Sequence, residues 1–180
     1  MPPHIRWAWV GVGIALLGVV AWFVVTSIAL DDDDAGSGVA RPNGPVAGAL
    51  ADAEAAVSPF TGLTEVALGV DDDCLRVAVA DEVAERVQGL RTRRGPAPYD
   101  GMLFVFDGES DGTFTMSGVP VALDIGFYGA DGEPVSRRRM EPCADDEASC
   151  PAYASDEPYV YALETEAGAL PGGALHACPS

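Results

Sequence analysis

The sequence predicts one mainly-β domain, a β-sandwich or a barrel with one short α-helix, carried behind an N-terminal transmembrane helix. Three observations lead there. Short apolar runs rich in β-branched and aromatic residues recur between Gly, Pro and Asp clusters. A single segment, Ala80–Leu90, switches to a helical period. The chain also opens with 24 uncharged residues, Trp7–Leu30. Its 180 residues suit one modest domain with accessories rather than two cores.

Residues 1–6 are read as a cytoplasmic N-terminus and residues 7–30 as the anchor. The uncharged stretch is long enough for about 30 Å of hydrocarbon with some tilt. Trp7, Trp9 and Trp22 lie towards its ends, where indole rings favour the interface. A cleaved signal peptide has an apolar region of only about 7–15 residues, so an uncleaved span is expected, although Ser27-Ile28-Ala29 leaves a cleavage site open. Arg6, with His4, precedes the span and Asp31–Asp34 follow it. The positive-inside rule therefore places everything after about residue 30 on the outer side of the cell membrane.

Residues 31–61 are expected to be a tether, because Asp31–Asp34, Gly36, Ser37, Gly38, Pro42, Gly44, Pro45 and Pro59 are spacer chemistry. The Ala-rich stretch 46–57 is at most a short, marginal helix. The domain is expected over residues 62–180. Thr64–Val70 and Leu75–Ala80 read as strands. Asp81 is placed to cap a helix, with Glu82 and Glu85 in its first turn and Val83, Val87 and Leu90 on one face. After the Gly95–Pro98 break, strands are expected at Met102–Phe106, Thr113–Met116, Leu123–Tyr128, Pro134–Met140 and Tyr159–Glu164, with a hairpin turn at Asp131-Gly132. Many short strands with one helix argue for a sandwich or barrel.

Charge narrows the function. Twenty-eight acidic residues face ten cations, all arginine, for a net −18. Such a surface repels a polyanion, which excludes a nucleic-acid binder. Without its membrane flank the exposed part reaches −19, a balance that suits a salt-rich medium, where self-repulsion is screened. Phe104, Phe106, Phe114, Phe127 and Tyr128 supply the core that a disordered acidic chain would lack.

Four cysteines, Cys74, Cys143, Cys150 and Cys178, all lie in the exposed part, an even number that suits disulfides in an oxidising space, with three connectivities open. Cys143 and Cys150 bracket a Pro- and acid-rich loop, so a local clip is the simplest pairing. A Cys74–Cys178 bridge would then tie down the C-terminal tail. A zinc site with His176 is disfavoured, because no C-x₂₋₄-C pair exists. No metal and no cofactor are expected.

Three further motifs are weighed and set aside. Gly108-Glu109-Ser110-Asp111-Gly112 matches a nucleophile elbow, yet a strand follows it and the exposed part offers only His176 as a base. Asp71–Asp73 and Asp145–Glu147 lack the alternate spacing of a calcium loop. Arg137-Arg138-Arg139 is expected to pair with nearby carboxylates.

The order of motifs then carries a resemblance. Glu85-Arg86-x-x-Gly89-Leu90-x-x-Arg93, Gly101-Met102-Leu103-Phe104-x-Phe106, Phe114-x-Met116 and Leu123-Asp124-Ile125-x-Phe127 are followed by Asp131-Gly132, Met140-Glu141-Pro142-Cys143, Cys150-Pro151-x-Tyr153 and Tyr161-Ala162-Leu163-Glu164. Together they resemble the DUF192 family over about residues 64–176. The resemblance implies a single mainly-β domain of sandwich or jelly-roll type, often behind a signal or anchor, with no established activity or cofactor. In the family's F-W-M-K-N-T-x-x-P-L-D stretch this chain keeps Phe114, Met116, Leu123 and Asp124 and replaces the Trp, Lys, Asn, Thr and Pro by Thr115, Ser117, Gly118, Val119 and Ala122. Arg93, Asp124 and Glu164 are polar groups inside apolar motifs. With Met116 they are the candidate ligand contacts of a module whose partner is an extracellular ligand or protein and, through residues 7–30, the lipid bilayer. A binding or structural role is expected rather than an enzyme. The alternative is a hydrolase-type enzyme using Asp124 and Glu164 as a carboxylate pair, which needs the two carboxyls about 5–9.5 Å apart across a cleft. For Asp124 itself, Arg93 is the expected salt-bridge partner.

Overall fold

The computed structural model describes residues 44–143 and 147–179. The expected membrane span, the first part of the tether and Asp145–Asp146 lie outside the described residues. Among the described residues no helix is long and apolar enough to cross a membrane.

In chain order the elements are α1 (Ala47–Ala51), β1 (Glu54–Ala55), β2 (Thr64–Val70), β3 (Asp73–Ala80), α2 (Val83–Gln88) and β4 (Gly101–Ser110). There follow β5 (Thr113–Thr115), β6 (Leu123–Tyr128), β7 (Pro134–Met140), β8 (Ala152–Ala154), β9 (Tyr159–Glu166) and β10 (Leu175–Ala177). Seven strands run β1-β2-β3-β4-β9-β6-β7, and β10 joins β1 on the outer edge of β2 to complete an eight-stranded sheet. β5 and β8 form a separate two-stranded piece. Every pairing is antiparallel except β3 with β4. That parallel pair needs a crossover, which α2 and its flanking loops supply.

The sheet does not close, so the barrel alternative is corrected: β7 ends it on one side, and β1 with β10 on the other. Closure is not needed to bury the strands, because both faces are covered. Successive residues alternate between faces. Val77, Val79, Leu103 and Leu163 enter one core with Val46, Leu50 and Leu175, while Ala78, Ala80, Met102, Phe104 and Ala162 enter the other with Phe60, Leu90 and Phe127. Residues Tyr159–Thr165 of β9 are consequently buried throughout, as expected for a strand covered on both sides.

The packed domain begins earlier than the tether reading allows. Val46, Ala49, Leu50, Ala56 and Phe60 are buried, so the stretch expected to be spacer covers the core instead. Helix α2 also departs from expectation. Glu82, not Asp81, is its N-cap, in a capping box with Glu85. Leu90 is buried, but Val83 and Val87 are each 66% exposed. The cause is Arg86. Its guanidinium donates to the carbonyls of Asp81 and Val105 and lies over the Phe106 ring, so the Arg86 side of the helix faces β4.

The cysteines pair as Cys143–Cys150 and Cys74–Cys178, with Cα separations of 5.9 and 5.8 Å. The first closes the acidic loop locally, and the second fixes β10 and the residue beyond it against the start of β3.

Candidate functional site

The four residues singled out by sequence do not converge. Asp124, on β6, stands directly opposite Arg139 of β7. Arg139 Nη1 lies 3.3 Å from Asp124 Oδ1, and the Gly168 amide donates to Oδ2 at 2.6 Å. Arg93 is elsewhere: its Nη1 donates to the Pro59 carbonyl, and its guanidinium sits 4.2 Å from the Phe60 ring centre. The expected Asp124–Arg93 pair is thus replaced by a cross-strand pair, while Arg93 pins the 58–60 segment to the domain. Met116 is wholly buried in the aromatic core and serves packing.

Glu164 is different. On β9 it is opposite Met102 of β4 and Ile125 of β6, so it shares their face. Asp124 is opposite Thr165 and therefore projects from the other face. The carboxylate pair required by the enzyme alternative is not formed. Glu164 is only 5% exposed, and among the described residues its carboxyl accepts no hydrogen bond and meets no cation. Burial pushes its pKa up to about 8, because removal from water disfavours the charged form. Another carboxylate, Glu65, shows the ordinary arrangement: it accepts from the Tyr99 hydroxyl and from Arg76, and those bonds hold its pKa down.

Glu164 lines a cavity of about 310 Å³ between α2, β4, β5 and β9. Phe104, Phe106, Phe114 and Tyr159 supply its aromatic wall. These rings pack edge to face: Phe104 and Phe114 at 5.0 Å, Phe106 and Tyr159 at 5.2 Å. The Tyr159 hydroxyl donates to the Gly112 carbonyl at 3.0 Å, which fixes the turn between β4 and β5. Val83 and Val87, turned outward by the seating of Arg86, contribute an apolar rim, and Arg91 paired with Glu147 at 2.8 Å lies at the same opening. The volume is at the small end of the range of about 300–1,000 Å³ typical of ligand clefts.

The cleft was not legible in the sequence. Its aromatic residues read simply as core, and Arg86 as part of a motif without a role. Gly108–Gly112 is the end of β4 and a turn, where Ser110 Oγ accepts from the Gly112 amide. Arg138 and Arg139 pair with Asp156 and Asp124, whereas Arg137 reaches the Leu170 carbonyl. His176 directs Nδ1 and Nε2 to the carbonyls of Ala177 and Asp71, each at 2.8 Å, which holds its pKa above the ordinary value. Among the described residues no cluster of His, Cys, Asp and Glu is arranged to hold a metal ion.

Fold and cleft together define, over the described residues, a mainly-β domain with a carboxyl-bearing aromatic cavity on one face of its sheet. The chain belongs to the DUF192 family, described as "Uncharacterized ACR, COG1430", which matches residues 66–174. That span contains every cleft residue named above. A protein of unknown function from Novosphingobium aromaticivorans DSM 12444 has a similar structure, with a TM-score of 0.58 and 25% identity over 69% of this chain and 94% of that one. A proposed transcription regulator from Sinorhizobium meliloti 1021 has a TM-score of 0.52 and 30% identity over 62% of this chain and 91% of its own. No curated protein matches the chain.

Proposed function

We propose that the chain is a binding module displayed outside the cell membrane on an N-terminal anchor, and that the cleft between α2 and β5 is its binding site. The observation that carries the site is Glu164. Buried polar groups in folded proteins are nearly always hydrogen-bonded, and a bare carboxyl on the wall of an open cavity is suited to a partner from outside the chain. The anchor reading rests on the 24 uncharged residues behind Arg6. The two disulfides agree with an oxidising exterior, and the acidic balance with a salt-rich one. The transcription-regulator role of the Sinorhizobium meliloti protein is not carried over, since a chain of net charge −18 repels DNA.

Thermal-shift screening of the full chain in detergent against a chemically diverse compound set tests the site. Compounds are expected that raise the melting temperature of the wild type but not of Thr113→Trp, whose indole would fill the cleft. If every stabilising compound acts equally on both proteins, or none is found, the cleft is not a binding site. The anchor is tested by alkaline washing of membranes: the chain is expected to stay in the pellet, and its release into the wash overturns the tether.

A further inference from the structure

Three features narrow the chemistry of the ligand, given the reading of the cleft as a binding site. Glu164 is largely desolvated on the cleft wall and has no donor from the described residues. A cation answers the carboxyl better than a neutral group does: an ammonium N–H makes charge-assisted hydrogen bonds about twice as strong as neutral ones, and a quaternary ammonium, which has no N–H, attracts the ionised carboxylate through charge alone. The wall is aromatic, and aromatic faces attract cations; Phe106 already holds the Arg86 guanidinium at 5.1 Å from its ring centre. Finally, a chain of net charge −18 draws cations towards it and repels anions.

We propose that the cleft binds a small organic ammonium ion, a primary amine or a quaternary ammonium, with its charge against Glu164 and its apolar groups against the aromatic wall. The neighbouring charges are otherwise engaged. Arg86 of α2 is held by two carbonyls and the Phe106 ring. Glu82 and Glu85 are turned to the amides of their own helix, and Arg91 is paired with Glu147. Met102 and Phe104 of β4 and Ile125 of β6 bring nothing ionisable, and Tyr159 donates to Gly112. Glu164 is thus the carboxyl left to answer the ligand's charge. In the empty cleft it keeps its proton to about pH 8. A permanently charged ligand must displace that proton, so its affinity rises about tenfold per pH unit below that value and levels off above it.

Calorimetric titration of the full chain in detergent with choline and with its neutral isostere 3,3-dimethylbutan-1-ol, across this pH range, tests the proposal. Choline is expected to bind at least about tenfold more tightly than the alcohol near the plateau, with the pH slope confined to choline. Glu164→Gln is expected to abolish the pH slope and most of the preference for choline. Phe114→Leu, a milder change at a partly exposed ring, is expected to weaken choline more than the alcohol and covers the case in which the Gln variant does not fold. Equal binding of the two probes, or choline binding that survives Glu164→Gln, overturns the ammonium reading but leaves the cleft as a site if Thr113→Trp still blocks both. If neither probe binds, the compounds found by screening decide: hits bearing a cationic nitrogen and lost in Glu164→Gln uphold it, and neutral or anionic hits overturn it. A screen without hits removes the binding site itself.

Discussion

The two faces of the sheet are built by the same strands for opposite ends. One face is largely aliphatic: Val66, Leu68, Val77, Val79, Leu103 and Leu163 pack against α1 and Leu175, with Tyr128 and Tyr161 among them. The other is aromatic and methionine-rich, contains Glu164, and opens into the cleft. Leu163 and Glu164 are adjacent in sequence, yet one seals the domain and the other stands bare on a cavity wall. The two-residue period of a strand makes this separation available at single-residue cost. The cleft side keeps a buried carboxyl where an apolar side chain would pack at lower cost.

If stability is held on the aliphatic side, damage there should exceed damage at the cleft. The largest effect is expected for Cys74→Ser with Cys178→Ser. These residues are 104 apart in sequence, and closing a loop of that size contributes about 4–5 kcal/mol by chain entropy, against about 2.5 for the Cys143–Cys150 clip. Denaturant titration of both double variants measures the difference, and equal losses would erase the distinction. Next, Leu163→Ala is expected to cost about 3 kcal/mol, as for a fully buried leucine in a layer that cannot collapse, with a matching fall in the denaturation midpoint.

Glu164 sharpens the comparison through pH. Its carboxyl holds a proton more tightly folded than unfolded, where the ordinary value is 4.5. The folded state is therefore favoured fully below pH 4.5, and that advantage drains away as the pH rises to about 8. The wild type is expected to lose about 3 kcal/mol relative to Glu164→Gln between pH 4.5 and about 7. Unfolding of both proteins across this range checks it; parallel pH curves would mean that Glu164 is not desolvated. The smallest effect is expected for Val87→Ser, within about 0.5 kcal/mol because the side chain is mostly exposed. A loss above about 1 kcal/mol there would show that the rim, too, serves the core.

Strands with several β-branched or aromatic residues were legible from sequence: β2, β6 and β7 begin and end where the apolar pattern places them. Of α1 only a short helix somewhere within residues 46–57 was legible, and β1, β8 and β10 were not. Each has two to five residues, too few to display a period, and each takes its conformation from the surface on which it lands. The valines of α2 were misassigned for a related reason. Their spacing is that of a buried stripe, but one arginine bonded to the Val105 carbonyl decides which side of a six-residue helix faces the sheet. At the site, Glu164 stood out as a polar residue in an apolar strand. Its cavity did not, because the walls come from four elements spread over some eighty residues.

The way the chain ends at the sheet's margins bears on how the molecule avoids its own copies. An open strand edge is a template for a second molecule, and proteins blunt such edges by covering or charging them. The outer edge of β2 is covered by β1 at one end and by β10 at the other, and the latter is covalently secured through Cys178. The opposite margin is β7, whose middle carries Arg137, Arg138 and Arg139 in succession. Adding a copy of β7 in register would bring this cationic row against itself. The arginine run, set aside as a binding motif, thus guards the uncovered margin against edge-to-edge aggregation, while the reverse margin depends on a disulfide and becomes vulnerable when that bond is reduced.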